Sequence, residues 1–243
     1  KVFFNKDYPT EDWKFSAYGV FIQSDIDILM KQTYNTIDRN KIYVVGNYDL
    51  IHFGMESNLF NSYQNDNKYK NILYFDSDSV ERTFQGNFQL YYDYIFELNR
   101  IIRSNGYKLN IKFHPLSLKK GINKKLAELG ISTINNDEFI NSLKKSKYVI
   151  SETTSLMNIA CLIGIPVITP TIKPFNAKKY GMMINNYPNR LSFSNFKEFE
   201  KIICSSLSKC NNKKMEQWID YFAGPLPPSE FPNRVLDIVK KIV

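Results

Sequence analysis

The chain has 243 residues, 43% of them hydrophobic and 23% charged, enough apolar side chain for a substantial core and far from the composition of a disordered protein. Its net charge of +8 comes from lysines and arginines scattered through the chain; without a dense basic run, an RNA-binding aromatic signature or zinc-finger spacing, this is a solvated surface and nucleic acid is excluded as a partner. Cys161, Cys204 and Cys210 are odd in number and lack metal-like spacing, and no apolar run reaches membrane-spanning length, so a disulfide scaffold and a transmembrane protein are excluded and a cytoplasmic location is expected.

The first forty residues differ from the rest. Tyr18 to Ser24 reads as a short strand ending in a polar turn, and Asp25 to Thr33 as a helix. From residue 41 a repeating pattern of strand and helix begins. Strands are expected at Lys41–Val45, Asn71–Phe75, Lys108–Phe113, Lys147–Ile150 and Pro166–Thr169, with a weaker one at Ile131–Ile134. These runs are rich in Val, Ile, Tyr and Phe and nearly continuous in apolar character, as strands buried on both faces require. Between them Tyr91, Ile95, Leu98 and Ile102 recur at helical spacing before Gly106. Leu118–Leu129 and a segment starting at Asp137 read as two further helices, and Leu156–Ile163 as a fourth, with Cys161 in its apolar run as core packing. Alternating strands and helices predict an α/β fold with a doubly wound parallel sheet. The C-terminal tail reads as three successive helices, Phe196–Leu207, Lys213–Phe222 and Ser229–Val243, the last two separated by the proline-rich Gly224–Pro228.

An open α/β sheet binds ligands beyond the carboxyl ends of its strands, so the polar residues that follow the strands are the candidates. Gly46 and Asn47 end the first strand of the repeat, where glycine permits a sharp turn or a close approach, although an ordinary turn explains them equally well. Lys112, Phe113, His114 and Pro115 end the strand expected at the centre of the sheet. Pro115 forces His114 out of helical conformation and holds its imidazole at the rim, where it can donate to a phosphate oxygen and offset charge on a leaving group. His52 has no such surroundings and reads only as a satisfied histidine. Ser151, Glu152, Thr153, Thr154 and Ser155 follow the next buried strand and open a helix, where N–H groups and the macrodipole favour an anion. One hydroxyl would suffice to cap that helix; four in five residues point to a ligand. Glu152 reads either as a contact to a ribose or sugar hydroxyl or as a complement to the helix start.

The pair His114-Pro115 and Ser151–Ser155, with Gly164-Ile165-Pro166-Val167 behind it, resembles the C-terminal, donor-binding Rossmann domain of GT-B glycosyltransferases. The resemblance is nearest to bacterial sialyltransferases and polysialyltransferases with their HP and Ser/Thr motifs, and capsule Kdo transferases and CDP-glycerol glycerophosphotransferases look similar. It covers residues 41–243 as a donor domain and leaves 1–40 as the edge of an acceptor domain or a linker. It implies a metal-independent transferase, without a cofactor, that moves a sugar acid from a CMP-linked donor to a glycan or glycolipid, working in peripheral contact with the inner membrane. His114 would contact the donor phosphate and stabilise the leaving group, Thr153, Thr154 and Ser155 would bind the same phosphate, and Asn47 and Glu152 would meet nucleoside or sugar. The chain departs from the family pattern in two places: the second motif often has two adjacent serines where this chain has Thr153-Thr154-Ser155, equivalent for hydrogen bonding, and the family's general base is a carboxylate of the N-terminal domain, whereas Asp25 and Asp27 read as turn and helix-start residues. A CDP-glycerol or CDP-ribitol phosphotransferase and a non-catalytic nucleotide-binding half of a split transferase remain alternatives, and a UDP-sugar 2-epimerase would want further acidic and basic groups in the cleft.

Overall fold

The computed structural model describes residues 18–20, 23–32, 38–46, 69–152, 154–175, 180–205, 212–222, 224–225 and 227–242. Packing of the backbone divides the chain into two units, residues 60–215 and the pair of segments 1–59 with 216–243.

The larger unit is built on six strands, β3 (Asn71–Phe75), β4 (Lys108–Lys112), β5 (Ser132–Thr133), β6 (Ser146–Ser151), β7 (Val167–Pro170) and β8 (Arg190–Phe193). All neighbours are parallel, in the order β5-β4-β3-β6-β7-β8. This is the doubly wound order of a Rossmann-like sheet, and the winding reverses between β3 and β6. Strands at the centre are apolar on both faces because helices cover both. Ile72, Tyr74, Leu109, Ile111, Tyr148 and Ile150 meet α3 (Phe88–Ser104) and α9 (Phe196–Cys204) in one continuous core. The intervening Leu73, Phe75, Val149 and Val167 are equally buried, and Phe75 meets Phe139 of α6 (Phe139–Lys144) with ring centroids 5.6 Å apart. Each fully buried Leu, Ile or Phe of this kind contributes about 1.5–3 kcal/mol.

Helix α3 follows from its sequence in detail. The Asn87 side chain accepts from the Leu90 N–H at 3.1 Å and caps the start. Tyr91, Ile95, Leu98 and Ile102 then fall on one buried stripe, and Gly106, at φ 75°, turns the chain out of the helix. The helix expected over Leu118–Leu129 forms as two, α4 (Pro115–Lys119) and α5 (Ile122–Ala127), because Gly121 takes up φ 72° between them. Helix α7 (Ser155–Ile163) begins and ends within a residue of expectation, closed by Gly164 at φ 92°. Cys161 is wholly buried within it. Three short elements add to those expected: α2 (Ser79–Arg82), after β3, α8 (Gly181–Asn185) and β8 after it.

The smaller unit changes one expectation. The strand foreseen at Lys41–Val45 forms as β2 (Ile42–Val44), but it pairs in parallel with β1 (Tyr18–Val20) in a sheet of its own. It is not a strand of the six-stranded sheet, all of whose strands lie in the unit of residues 60–215. Helix α1 (Gln23–Gln32) packs Ile26 and Leu29 beside Ile42 and Val44. Of the tail helices, α11 (Phe231–Ile242) belongs to this unit and the unit boundary falls within α10 (Asn212–Phe222). No described helix is long and apolar enough to cross a membrane.

The hydroxyls of Tyr91 and Tyr94 are buried in the core without a hydrogen-bond partner. An unpaired buried hydroxyl opposes folding. Tyr91→Phe or Tyr94→Phe should therefore retain the fold and gain about 0.5–1 kcal/mol in urea denaturation. A loss greater than about 1 kcal/mol would show that the hydroxyl is satisfied after all.

Candidate functional site

Strands β4, β3 and β6 lie side by side and end on one rim, so the segments that follow them meet there. His114, beyond β4, adopts φ −66° and ψ 144° ahead of Pro115, which occupies the first position of α4. Its Nδ1 accepts the Leu116 N–H at 3.2 Å. A ring nitrogen that accepts carries no proton, so the neutral imidazole presents Nε2–H as a donor. On the far side of β3, Thr154 caps α7: its Oγ1 accepts the Leu156 N–H at 3.5 Å. The strands that lead to the two features, β4 and β6, are separated by one intervening strand, about 10 Å at usual strand spacing.

The segment between them, after β3, supplies what sequence reasoning missed. Asp76 is 2% exposed. It accepts the N–H of Asp78 at 3.3 Å, of Ser79 at 3.2 Å and of His114 at 3.2 Å, together with the Ser117 hydroxyl. Lys120 closes the outside of the same loop with Asp78 at 2.9 Å and Glu81 at 3.0 Å. The signal was present, since Asp76-Ser77-Asp78-Ser79 is a polar cluster directly after a buried strand. It was passed over because it lacks both glycine and histidine.

Two expectations change in the neighbouring segment. Glu152 is 4% exposed and accepts hydroxyls from Tyr74 at 2.6 Å, Thr83 at 2.6 Å, Ser77 at 3.2 Å and Ser79. With both carboxyl oxygens occupied it is an internal tie rather than a contact to ribose or sugar. Burial pushes its carboxyl above the ordinary range; the hydroxyls of Ser79, Thr83 and Tyr74 pull it back without cancelling that, and Asp76 nearby adds to the rise. Ser151 is fully buried and its hydroxyl donates to the Glu152 carbonyl at 2.7 Å, so it too is internal.

Lys112 is redirected. Its ammonium bonds Asn136 in the connection between β5 and α6, on the opposite side of β4 from α7, and partial burial pushes it below the ordinary lysine range. Gly46 lies in the smaller unit at φ 98°. A Cβ there would stand 3.0 Å from Nη2 of Arg234, whose guanidinium donates to the carbonyls of Val45 at 2.8 Å and Pro227 at 2.9 Å. Close approach of that guanidinium accounts for the glycine without a ligand. Asp27, expected as a helix-start residue, accepts the Tyr221 hydroxyl. Asn47, His52 and Thr153 lie outside the described residues, and of Ser155 only the backbone, in the first turn of α7, is described.

No protein-family model matches the sequence, and no curated protein matches it. Solved structures do. The wall teichoic acid polymerase TagF, as its H444N variant, is similar with a TM-score of 0.54 and 13% identity, over 94% of this chain and 58% of TagF. The UDP-GlcNAc 2-epimerase of Methanocaldococcus jannaschii, solved with UDP-GlcNAc and UDP, is similar with a TM-score of 0.53 and 17% identity, over 93% of this chain and 61% of the epimerase. A putative UDP-N-acetylglucosamine 2-epimerase from Listeria monocytogenes gives a TM-score of 0.51 and 17% identity, over 93% of this chain and 59% of that one. At these identities the likeness is one of fold: a Rossmann-like α/β sheet of the GT-B kind. The chain spans less than two thirds of the length of each, and none of the three is a sialyltransferase.

A carboxyl whose folded pKa lies above its unfolded value binds more protons in the folded state between the two values, so stability falls as pH rises through that window. For Glu152 the window opens at its ordinary value of 4.5. Wild type should therefore lose stability relative to Glu152→Gln as pH is raised from there towards neutrality, read from urea midpoints across the range. A difference that stays flat would mean Glu152 titrates as an ordinary surface carboxylate.

Proposed function

We propose that this chain binds the phosphate of a nucleotide-activated donor and serves as the donor-binding half of a transferase of the GT-B kind. One observation carries the reading: His114 spends Nδ1 on the Leu116 amide, which leaves Nε2–H as a donor on the same rim as the capped start of α7. An imidazole N–H on one side and the N-terminal end of a helix dipole on the other form a pair suited to a phosphoryl group. As bonds to the leaving phosphate break, the same donors would oppose the charge that develops there.

The donor we favour is a CMP-linked sugar acid, on the His114-Pro115 and Ser/Thr motifs, with a glycan or glycolipid as acceptor. The second reading, a CDP-linked glycerol or ribitol phosphate, has its own support in the similarity of fold to a teichoic acid polymerase. Both would use the phosphate grip without a metal, with Thr153, Thr154 and Ser155 contributing hydroxyls or amides. The general base would come from another part of the enzyme, because Asp76 and Glu152 on this rim are buried and fully engaged.

Calorimetric titration with CMP, CDP and UDP tests the reading. Binding of CMP or CDP that His114→Ala weakens by roughly two orders of magnitude, about 3 kcal/mol, without a comparable loss of folding stability is the expected result. Preference for CMP over CDP supports the sugar-acid donor, and the reverse supports the polyol-phosphate donor. Strong preference for UDP would remove both in favour of epimerase-like chemistry, and no affinity for any of the three would leave a non-catalytic module.

A further inference from the structure

We infer that Asp76 and Glu152 are positioning residues that register the two halves of the phosphate grip, the His114 turn and the start of α7, on the loop between them. The inference rests on the donor-binding reading for its purpose, though not for its geometry. Ser79 is the joint. Its N–H donates to Asp76 at 3.2 Å and its hydroxyl donates to Glu152. Asp76 in turn accepts the His114 N–H at 3.2 Å and the Ser117 hydroxyl from α4. A continuous chain of hydrogen bonds therefore runs from the His114 backbone through Asp76, Ser79 and Glu152 to the segment that leads into Thr154.

Neither carboxyl group can be a catalytic residue, because both are almost wholly buried and all their oxygens accept protein donors. Nor is either needed merely to complete secondary structure, since β3, β4 and β6 are joined by their own ladders. What the two groups add lies beyond the ends of those ladders. There they fix where the imidazole and the helix start stand relative to one another. Geometry of that kind governs how well two donors converge on one anion.

The test compares wild type, Ser79→Ala, Asp76→Asn, His114→Ala and the Ser79→Ala/His114→Ala double variant by calorimetry with CDP and CMP, alongside nitrogen-15 spectra of the His114 ring. Ser79→Ala keeps both carboxyl groups and should weaken nucleotide binding roughly tenfold. If Ser79 acts through His114, the double variant should bind no more weakly than His114→Ala alone, as coupled sites require and a purely structural role would not produce. The ring of wild type should show one neutral tautomer, protonated at Nε2, and Asp76→Asn should show a mixture. Wild-type affinity in Ser79→Ala and Asp76→Asn, an additive loss in the double variant, or ring signals unchanged in Asp76→Asn would each overturn the inference. A wild type that binds no nucleotide would instead sink the donor-binding reading, and the ring spectra would still decide the positioning role.

Discussion

Two carboxyl groups buried at the end of β3 and β6, with O–H and N–H donors as their partners, set the terms for everything on this rim. Taking a carboxylate out of water is costly unless its oxygens are fully hydrogen-bonded. Asp76 meets that condition with three amides and a hydroxyl, Glu152 with four hydroxyls. Donors in those numbers cannot come from one segment. They come from β3, the turn after it, α2, the His114 turn and α4, so satisfying the two acids obliges these segments to sit together.

The same charges constrain where a phosphate can go. In a doubly wound sheet the ligand crevice opens where the winding reverses, here between β3 and β6, and in many such sheets the first turn is glycine-rich and faces the phosphate. This chain places Asp76, Ser77 and Asp78 there instead. A phosphate charge 4 Å from a carboxylate at an effective dielectric constant of about 20 is opposed by roughly 4 kcal/mol. Burial that pushes Glu152 towards its neutral form lessens that penalty without removing it. The favourable ground lies to either side, at the His114 ring and the N-terminus of α7, and an anion held by both would bridge over the β3 turn rather than enter it.

The sheet was legible in the sequence because apolar runs such as Asn71–Phe75 and Lys147–Ile150 are buried on both faces, and the local signals at Gly106 and Gly164 act within a few residues. His114-Pro115 and the Thr154 cap were legible for the same reason, since proline and capping geometry are local. What escaped were relations between distant segments. Nothing near residue 152 reveals that hydroxyls at 74, 77, 79 and 83 converge on it, so a glutamate read either as a contact to ribose or sugar or as a complement to the helix start gave no sign of these four partners. Lys112 misled similarly, because Asn136, which holds it, arrives from a different connection. Gly46 follows a strand of another sheet, a fact of strand pairing that periodicity does not encode.

The proposed grip would also explain why coarse chemistry is easier to infer here than donor identity. A ring N–H, a capped helix start and the dipole behind it respond to a phosphoryl group, which CMP-, CDP- and UDP-linked donors all possess. Discrimination between donors must arise where a site pairs with groups that differ between them, because only an unmatched polar group imposes a large penalty on the wrong ligand. The two buried acids of this rim are spent on internal donors and are not placed to make that distinction. On the donor-binding reading, the β3, β4 and β6 ends would act as a rigid anion holder that several chemistries could share, and selectivity would have to be built by residues beyond them.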